Sequence, residues 1–279
     1  MIKIVTDSTA YLPQATVREQ DIHIVPLYVH FGEEALREGI ELSNHEFYGR
    51  LQEVEVLPTT SQPSPGEFYE VFKELVDAGH EIVTLTISSK LSGTWNSAMA
   101  AKEMLPGAPI SVIDTLSTSV GLQLMVQAAS DAAANGSSRQ EIVDQTEEIK
   151  EKLQIWFVVD TLEYLAKGGR IGNGKAFLGT LLKVKPILVL QDGAIEPLEQ
   201  VRSKRKAHDR MLELVEEYMG TNGPQARIAI AHALVPQEAQ AISQELEERL
   251  GCCQPLTAGI GPVIGTHTGP GVIGVAAYS

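Results

Sequence analysis

Small hydroxyl side chains and a glycine follow an apolar run near residue 90. The run EIVTLTIS (81–88) predicts a buried strand, and a helical pattern follows over about 92–105. Between them lie three serines and a glycine: Ser88, Ser89, Ser92 and Gly93. Free N–H groups at a helix start, beside a glycine that lets a ligand come close, can bind an anion without a formal charge. The pattern therefore predicts a carboxylate site; the alternative is that Ser92 only caps the helix.

The sequence argues against a P-loop that binds nucleotide phosphates and against a metal centre. The stretch GRIGNGKA (169–176) fits the spacing G-x-x-x-x-G-K, but Ala176 stands where a magnesium-binding hydroxyl is required. A helical pattern precedes this stretch, where a phosphate-binding loop requires a strand. The sequence contains neither H-E-x-x-H nor C-x-x-C, and its histidines are scattered. We therefore expect no metal and no cofactor.

A serine hydrolase stays open as an alternative. The stretch KLSGT around Ser92 is not the G-x-S-x-G elbow of hydrolases. A triad could still converge in space from Ser92, His267 and Asp114. A module that senses a small carboxylate is a further alternative, since the same hydroxyl site would serve it.

Charge and composition argue against nucleic acid and the membrane interior as partners. The 279-residue chain has a formal net charge of −14, and residues 1–150 hold 22 acids but only 9 bases. Such an acidic chain is not expected to bind nucleic acid. No apolar run reaches the ~18 residues of a membrane span, so stable membrane insertion is not expected. The only cysteines, Cys252 and Cys253, are adjacent, so we expect no disulfide framework and a cytoplasmic location.

The order of predicted elements indicates an α/β protein of two domains. Strands alternate with helices in the first half, and DIHIVPLYVHF (21–31) is predicted to be one strand. Capping boxes start helices at Ser64 and Ser138. This alternation predicts a mostly parallel sheet with helices on both faces. In the second half, AFLGTLLK (176–183) predicts a short helix, and two apolar runs flank Asp192-Gly193, which predicts a hairpin. Two strands are expected at the end of the chain. We predict an α/β domain over 1–153 and an α+β domain with antiparallel strands over 154–279.

Several stretches resemble the DegV family, the fatty-acid-binding proteins that serve as the FakB subunit of bacterial fatty acid kinase. They occur in the family's order along nearly the whole chain: IVTDST (4–9), PTTSQPSPGEF (58–68), ISSKLSGTWNSA (87–98), VIDTLSTSVGL (112–122), YLAKGGRI (164–171), KPILVLQDG (185–193), VRSKRKA (201–207) and GTHTGPGVIG (265–274). Trp95 stands where the family more usually has tyrosine, which is a mild departure.

The resemblance implies a function that composition alone does not give. Members of the family enclose one long-chain fatty acid in an apolar tunnel between two domains. They present its carboxyl group to a separate ATP-dependent kinase subunit, which makes the acyl-phosphate, and they are not catalytic alone.

The resemblance also assigns the site residues. The carboxylate is held by the T-S-Q-P and L-S-G-T stretches, here Thr60, Ser61, Ser92, Gly93 and Thr94. The histidine of GTHTGPG, here His267, hydrogen-bonds the serine. The family's two functional arginines correspond to Arg170 in GGRI and Arg202 in VRSK. A guanidinium is always charged and can grip a phosphate with two bonds, so both residues suit phosphoryl transfer or kinase docking.

Overall fold

The computed structural model describes residues 1–173, 184–252 and 254–279. By their internal packing, the residues form two compact units. The first unit comprises Met1–Ser43 and Pro58–Glu151, and the second comprises Asn44–Leu57 and Lys152–Ser279. The domain ranges 1–153 and 154–279 stay a prediction; the packing differs from them chiefly in placing 44–57 with the second unit.

The first unit is built on a parallel four-stranded sheet. Its strands are β1 (Ile2–Asp7), β2 (His23–Val25), β6 (Glu81–Thr86) and β7 (Ile110–Asp114). The spatial order is β2-β1-β6-β7, and every pair is parallel. Five of the six residues of β6 are buried, as expected for a strand covered on both faces. The carboxyl ends of β1, β6 and β7 therefore meet at one edge.

Helices cover this sheet. They are α1 (Gln14–Glu19), α3 (Pro65–Asp77), α4 (Thr94–Glu103), α5 (Ser119–Ala134) and α6 (Arg139–Lys152). Both predicted capping boxes are confirmed. Ser64 Oγ accepts from the Glu67 N–H while Glu67 accepts from Ser64 N, and Ser138 and Glu141 do the same. Apolar side chains of α3 and α4 pack against β1 and β6.

A small antiparallel sheet completes the first unit. It contains β3 (Tyr28–Phe31), β4 (Glu34–Arg37) and β5 (Thr59–Ser61), in the order β4-β3-β5. The sequence predicted one strand over 21–31, and this was wrong. Pro26 lacks an N–H and interrupts the ladder, so the chain leaves the parallel sheet after β2 and enters a second sheet at β3.

The second unit is built on a six-stranded, mainly antiparallel sheet. Its strands are β8 (Gln154–Val158), β9 (Lys185–Gln191), β10 (Ala194–Val201), β11 (Arg227–His232), β12 (Leu256–Gly259) and β13 (Ile273–Tyr278). The order is β10-β9-β8-β13-β11-β12, and only the β11–β12 pair is parallel. The predicted hairpin is confirmed: Asp192 and Gly193 have φ of 48° and 80°, as a two-residue turn of type I′ requires.

The described residues of the second unit contain helices α2 (Asn44–Glu53), α7 (Glu163–Lys167), α8 (Lys204–Met219), α9 (Pro236–Leu250) and α10 (Pro262–Thr268). The two strands expected at the chain end are present, but α10 between them was not predicted. The helix predicted over 176–183 lies outside the described residues, as does the part of GRIGNGKA from Gly174 onward. Within the described residues, no helix is long and apolar enough to cross a bilayer.

Strand register brings several connections to one edge of this second sheet. Val201 pairs with Lys185, and Ile273 pairs with both Val158 and His232. The carboxyl ends of β8, β10 and β11 therefore lie at the same edge as the amino ends of β9 and β13. The segments that carry Arg202 and Leu234 both leave the sheet there.

Candidate functional site

The serine loop after β6 is fixed by the ends of the neighbouring strands. The Ile87 N–H donates to Oδ2 of Asp7 at 2.6 Å. The Ser89 N–H donates to Oδ1 of Asp114 at 3.0 Å, and the Ser88 N–H donates to the carbonyl of Ser117 at 2.8 Å. Side chains at the carboxyl ends of β1 and β7 thus hold the loop that carries Ser92.

Asp7 is the most buried of these anchors. Its side chain is fully buried, and its Oδ1 also accepts from N and Oγ1 of Thr9 at 3.0 and 2.6 Å. Burial raises the pKa of Asp7 to about 6, although the hydrogen bonds from Thr9 and Ile87 oppose the rise. Asp7 belongs to the motif IVTDST, but the sequence analysis gave it no role. The position supports a structural one: it locks β1 to the start of the serine loop.

Ser92 does not cap the following helix, so that alternative was wrong. Helix α4 begins at Thr94, and its N-cap residue is Gly93, with no side-chain capping bond. The Ser92 hydroxyl instead lies 2.9 Å from Oγ1 of Thr94. Its N–H donates to the carbonyl of Ser88 at 3.1 Å. The structure therefore brings the hydroxyls of Ser92 and Thr94 together on either side of Gly93.

The T-S-Q-P stretch adjoins this loop through Gln62. A Cβ built on Gly93 would lie 3.0 Å from Nε2 of Gln62, so the amide side chain rests against this glycine. Thr60 and Ser61 precede Gln62 on β5 and are half-buried. Oγ of Ser61 lies 2.8 Å from Nε2 of His30 on the neighbouring strand β3. The T-S-Q-P stretch thus meets the serine loop where Gln62 lies against Gly93. The sequence did not single out Gln62 or His30, which lie beside the predicted residues Gly93 and Ser61.

In the second unit, His267 lies on α10 against the end of α7. Its side chain is buried, with 8% exposed. Burial lowers the pKa of His267 to about 4, and the positive charge of Arg170 adds to the effect. The imidazole is therefore neutral at physiological pH. A Cβ built on Gly168 would overlap Nδ1 of His267 and lie 3.0 Å from Cε1, so only glycine leaves room for the ring.

The two glycines before Arg170 end α7 in a Schellman motif. The Gly169 N–H donates to the Ala166 carbonyl at 3.2 Å, and the Arg170 N–H donates to the Leu165 carbonyl at 3.0 Å. Gly169 has φ of 72°, the left-handed conformation this motif requires. Nη1 of Arg170 donates back to the Gly168 carbonyl at 2.7 Å. The helix that precedes GRIGNGKA confirms the argument against a phosphate-binding loop, since a strand is required there.

Arg202 occupies the connection between β10 and α8. It is exposed, and it makes no ion pair with any residue that the structure describes. Its neighbour Ser203 caps α8 by accepting from the Lys206 N–H. The next residue, Lys204, pairs with Glu238 of α9 at 3.1 Å. The structure thus anchors the backbone around Arg202 and leaves its guanidinium in solvent.

The contacts of Asp114 do not support a Ser-His-Asp triad, the alternative in which this chain is a hydrolase. Its Oδ1 accepts from the N–H groups of both Ser89 and Leu116, at 3.0 and 3.2 Å. That carboxylate is engaged in holding two loops. Among the described residues, no group of histidine, cysteine and acidic side chains is arranged to hold a metal ion.

Comparisons with known proteins agree along the whole chain. A sequence profile described as "Uncharacterised protein, DegV family" matches residues 1–279. A DegV domain-containing protein from Halalkalibacterium halodurans is 39% identical over 278 residues, which cover 99% of this chain and 98% of the relative. Among solved structures, a fatty-acid-binding DegV family protein from Thermus thermophilus has a TM-score of 0.94 and 36% identity, covering 100% of this chain and 99% of that one. A stearic-acid-binding protein from Eubacterium ventriosum has a TM-score of 0.92 and 30% identity, covering 100% and 98%. The predicted fold class is confirmed.

Proposed function

The chain belongs to the DegV family, and from that premise we propose that it binds one long-chain fatty acid in an apolar tunnel and presents the carboxylate to a separate ATP-dependent kinase subunit. The solved relatives from Thermus thermophilus and Eubacterium ventriosum bind fatty acids, which supports the first part of the proposal. The second part follows from the resemblance of the motifs.

The observation that carries the proposal is the set of hydroxyl side chains around Gly93 and Gln62 in the first unit. Ser92 and Thr94 flank Gly93, and Gln62 joins them to Thr60 and Ser61. Hydroxyls and backbone N–H groups can orient a carboxylate without neutralising it in a salt bridge. An oxygen lone pair then stays available to attack phosphorus. We propose that His267, a neutral hydrogen-bonding group, orients a serine hydroxyl of this site.

The affinity is proposed to come from the tail of the ligand. A chain of 16–18 carbons buried at ~0.8 kcal/mol per CH₂ contributes above ~10 kcal/mol before the costs of binding are subtracted. The head group therefore needs only to be oriented. This division of roles fits a protein that must hold a substrate and still leave its carboxylate reactive.

In the proposed reaction, a carboxylate oxygen attacks the γ-phosphorus of ATP. The bond between that phosphorus and the β,γ-bridging oxygen breaks, and ADP leaves. Negative charge is spread over the γ-phosphate oxygens during transfer, and guanidinium groups stabilise it. Arg170 and Arg202 are the residues proposed for this role or for docking the kinase. The ATP-binding site belongs to the partner subunit, so this chain is not catalytic alone.

A reconstitution with four components tests the proposal. The purified chain, a fatty acid, the kinase subunit from the same organism and ATP are combined, and acyl-phosphate is trapped with hydroxylamine. We expect acyl hydroxamate only when all four components are present. Acyl-phosphate formed with the kinase omitted, or ester hydrolysis by this chain alone, would instead support an enzyme. Failure of the complete mixture, with the kinase shown to be active on a known carrier, would overturn presentation.

A further inference from the structure

The connection between β7 and α5 carries three hydroxyl side chains that have no role in the head-group site described above. They belong to Ser117, Thr118 and Ser119, in the motif stretch VIDTLSTSVGL (112–122). Ser117 and Ser119 are only 2% and 8% exposed. All three hydroxyl oxygens are buried, and none has a hydrogen-bond partner among the residues that the structure describes. Burying a polar group without a partner costs free energy, so three in succession indicate a partner from outside the chain.

The backbone at the start of α5 adds further donors. Thr118 is the N-cap residue of this helix, but its side chain makes no capping bond. The N–H groups of Ser119 and Val120 donate to no acceptor in the described part of the chain, and a 16-residue helix has partial positive charge at this end. Leu116 and Ser119 have φ of 50° and 53°, a left-handed conformation that is costly for residues other than glycine. The chain thus holds hydroxyl and N–H groups together at this helix end despite the strain.

An acceptor lies one turn further along α5. Gln123 is four residues after Ser119, so the two side chains lie on one face of the helix. Gln123 is 2% exposed; its Nε2 donates to the Tyr11 carbonyl at 3.4 Å, whereas its Oε1 has no partner among the described residues. We call Ser117, Thr118, Ser119 and Gln123 the α5 subsite. It offers donors and an acceptor without a formal charge, so it suits a hydroxyl group, which donates and accepts, better than a carboxylate, which only accepts.

Hydrogen bonds tie the α5 subsite to the serine loop. The Ser88 N–H donates to the Ser117 carbonyl at 2.8 Å, and the Ser92 N–H donates to the Ser88 carbonyl at 3.1 Å. One residue and two hydrogen bonds thus separate the backbones of Ser92 and Ser117, which lie at most ~10 Å apart. Ser117 is buried, whereas Ser92 is half-buried. The subsite is therefore deeper than Ser92, on the side expected for a buried tail and not for an incoming phosphate.

We propose that the α5 subsite binds a hydroxyl group on the acyl chain, so that the ligand of this protein is a hydroxy fatty acid. The inference rests on the proposed function and names its substrate class. A chain whose carboxylate lies at Ser92 passes the subsite well before its methyl end, so the hydroxyl belongs to the half of the chain nearer the carboxylate. The ligand hydroxyl donates to Oε1 of Gln123 and accepts from the start of α5. An unsubstituted tail leaves these groups unpaired, and a site that binds a hydroxyl discriminates against a ligand without one.

The test titrates the delipidated full chain with palmitate and with hydroxypalmitates that carry the hydroxyl on carbon 3, 6, 9 or 16. We expect at least one of the 3-, 6- and 9-hydroxy isomers to bind about 10-fold more tightly than palmitate, and the 16-hydroxy isomer to show no gain. Thr118→Val keeps the shape of the side chain and removes no capping bond. Thr118→Val and Ser117→Ala should each reduce the preference to about twofold or less. Both variants should keep the palmitate affinity of the wild type and an equal or higher melting temperature.

Thr84→Val is the matched control, because Oγ1 of Thr84 is also buried without a partner among the described residues but lies within β6. It should leave the preference unchanged. Equal affinity for palmitate and every isomer would assign the hydroxyls of the α5 subsite to bound water and overturn the inference, while palmitate binding would still support the proposed function. A gain for the 16-hydroxy isomer alone, a preference that survives in both variants, or one that Thr84→Val also abolishes would overturn it as well. A wild-type chain that binds neither palmitate nor any isomer would overturn the proposed function and the inference with it.

Discussion

The imidazole of His267 lies directly against the backbone of Gly168, where a Cβ would overlap Nδ1. The two residues are 99 positions apart in the sequence. They come together because α10 packs on α7 within the second unit. The glycine of the KGGR stretch therefore does more than end a helix: it leaves the space in which the buried histidine is oriented.

Gly168→Ala should displace the ring of His267. We expect the free energy of unfolding to fall by about 1–3 kcal/mol, because the added methyl group overpacks a well-filled contact. If His267 orients the head-group site, the affinity for fatty acid or the rate of acyl-phosphate formation should also fall, by about 10-fold. Urea unfolding and fatty-acid titration at low temperature, where the variant remains folded, measure the two effects.

Gly169→Ala is the control for this substitution. It places alanine at a φ of 72° but meets no atom within 4 Å, so it should cost about 1–2 kcal/mol of stability and leave the ring in place. Equal losses of binding in both variants would contradict the role given to the Gly168–His267 contact.

Ser92→Ala should weaken fatty-acid binding by about 1–3 kcal/mol, the cost of leaving buried polar groups unpaired. Because Ser92 makes no capping bond to α4, the melting temperature of the ligand-free protein should be nearly unchanged. Ser64→Ala gives the opposite pattern and serves as the control. It removes a capping box at α3 and should cost about 0.5–2 kcal/mol of stability with no loss of affinity. Unchanged affinity in Ser92→Ala would remove Ser92 from the site.

The pH dependence of stability should report the buried carboxyl of Asp7. Its pKa is about 6 in the folded protein against an ordinary value of 3.8, so the folded state holds the proton more tightly than the unfolded state. The resulting stabilisation is full below pH 3.8 and is lost as the pH rises through about 6. The difference corresponds to about 3 kcal/mol.

The measurement compares urea unfolding of the wild type and Asp7→Asn at several pH values from 4 to 7. The stability of the wild type relative to the variant should fall as the pH rises. The variant is needed as a reference because His267, whose pKa is lowered, gives an opposite slope in both proteins. A relative stability that is flat or rises with pH would contradict the burial effect assigned to Asp7.

Arg170→Ala and Arg202→Ala should keep the fatty acid but lose about 10²-fold or more in acyl-phosphate formation. Arg202 is exposed and unpaired within the described residues, so its removal should leave stability unchanged; Arg170 also donates to the Gly168 carbonyl, so a small loss is expected there. Arg249→Ala, which breaks surface pairs with Glu245 and Glu216, should transfer normally. Variants that release lipid yet transfer phosphate at saturating lipid would reverse the assigned roles.

Elements set by local signals could be predicted from the sequence. The capping boxes at Ser64 and Ser138 and the Asp192-Gly193 turn depend on residues within a few positions of each other, and all three are confirmed. Helix α10 could not be predicted because its seven residues PVIGTHT include one glycine and four β-branched residues, all of which have low helix propensity. Its Gly265 packs so closely on Phe47 and Tyr48 of α2 that a Cβ would lie 2.8 and 2.7 Å from their side chains. Tertiary packing therefore determines this helix.

In the candidate site too, local motifs could be predicted from the sequence, whereas contacts between distant residues could not. The hydroxyls and glycine after β6 identified Ser92 as a candidate, and the family resemblance identified Thr60 and Ser61. The residues that contact Ser61 and hold the serine loop in place come from distant strands. His30 reaches Ser61 only through the pairing of β3 with β5. Asp7 reaches Ile87 only because β1 and β6 are neighbours. A single sequence carries no signal for such register.

Native mass spectrometry of the protein purified from a bacterial host tests the central claim most directly. The account predicts an added mass equal to one long-chain fatty acid per polypeptide, which denaturation and solvent extraction release as free acid. Repeated preparations of bare polypeptide that also fail to bind added oleate or palmitate would contradict it.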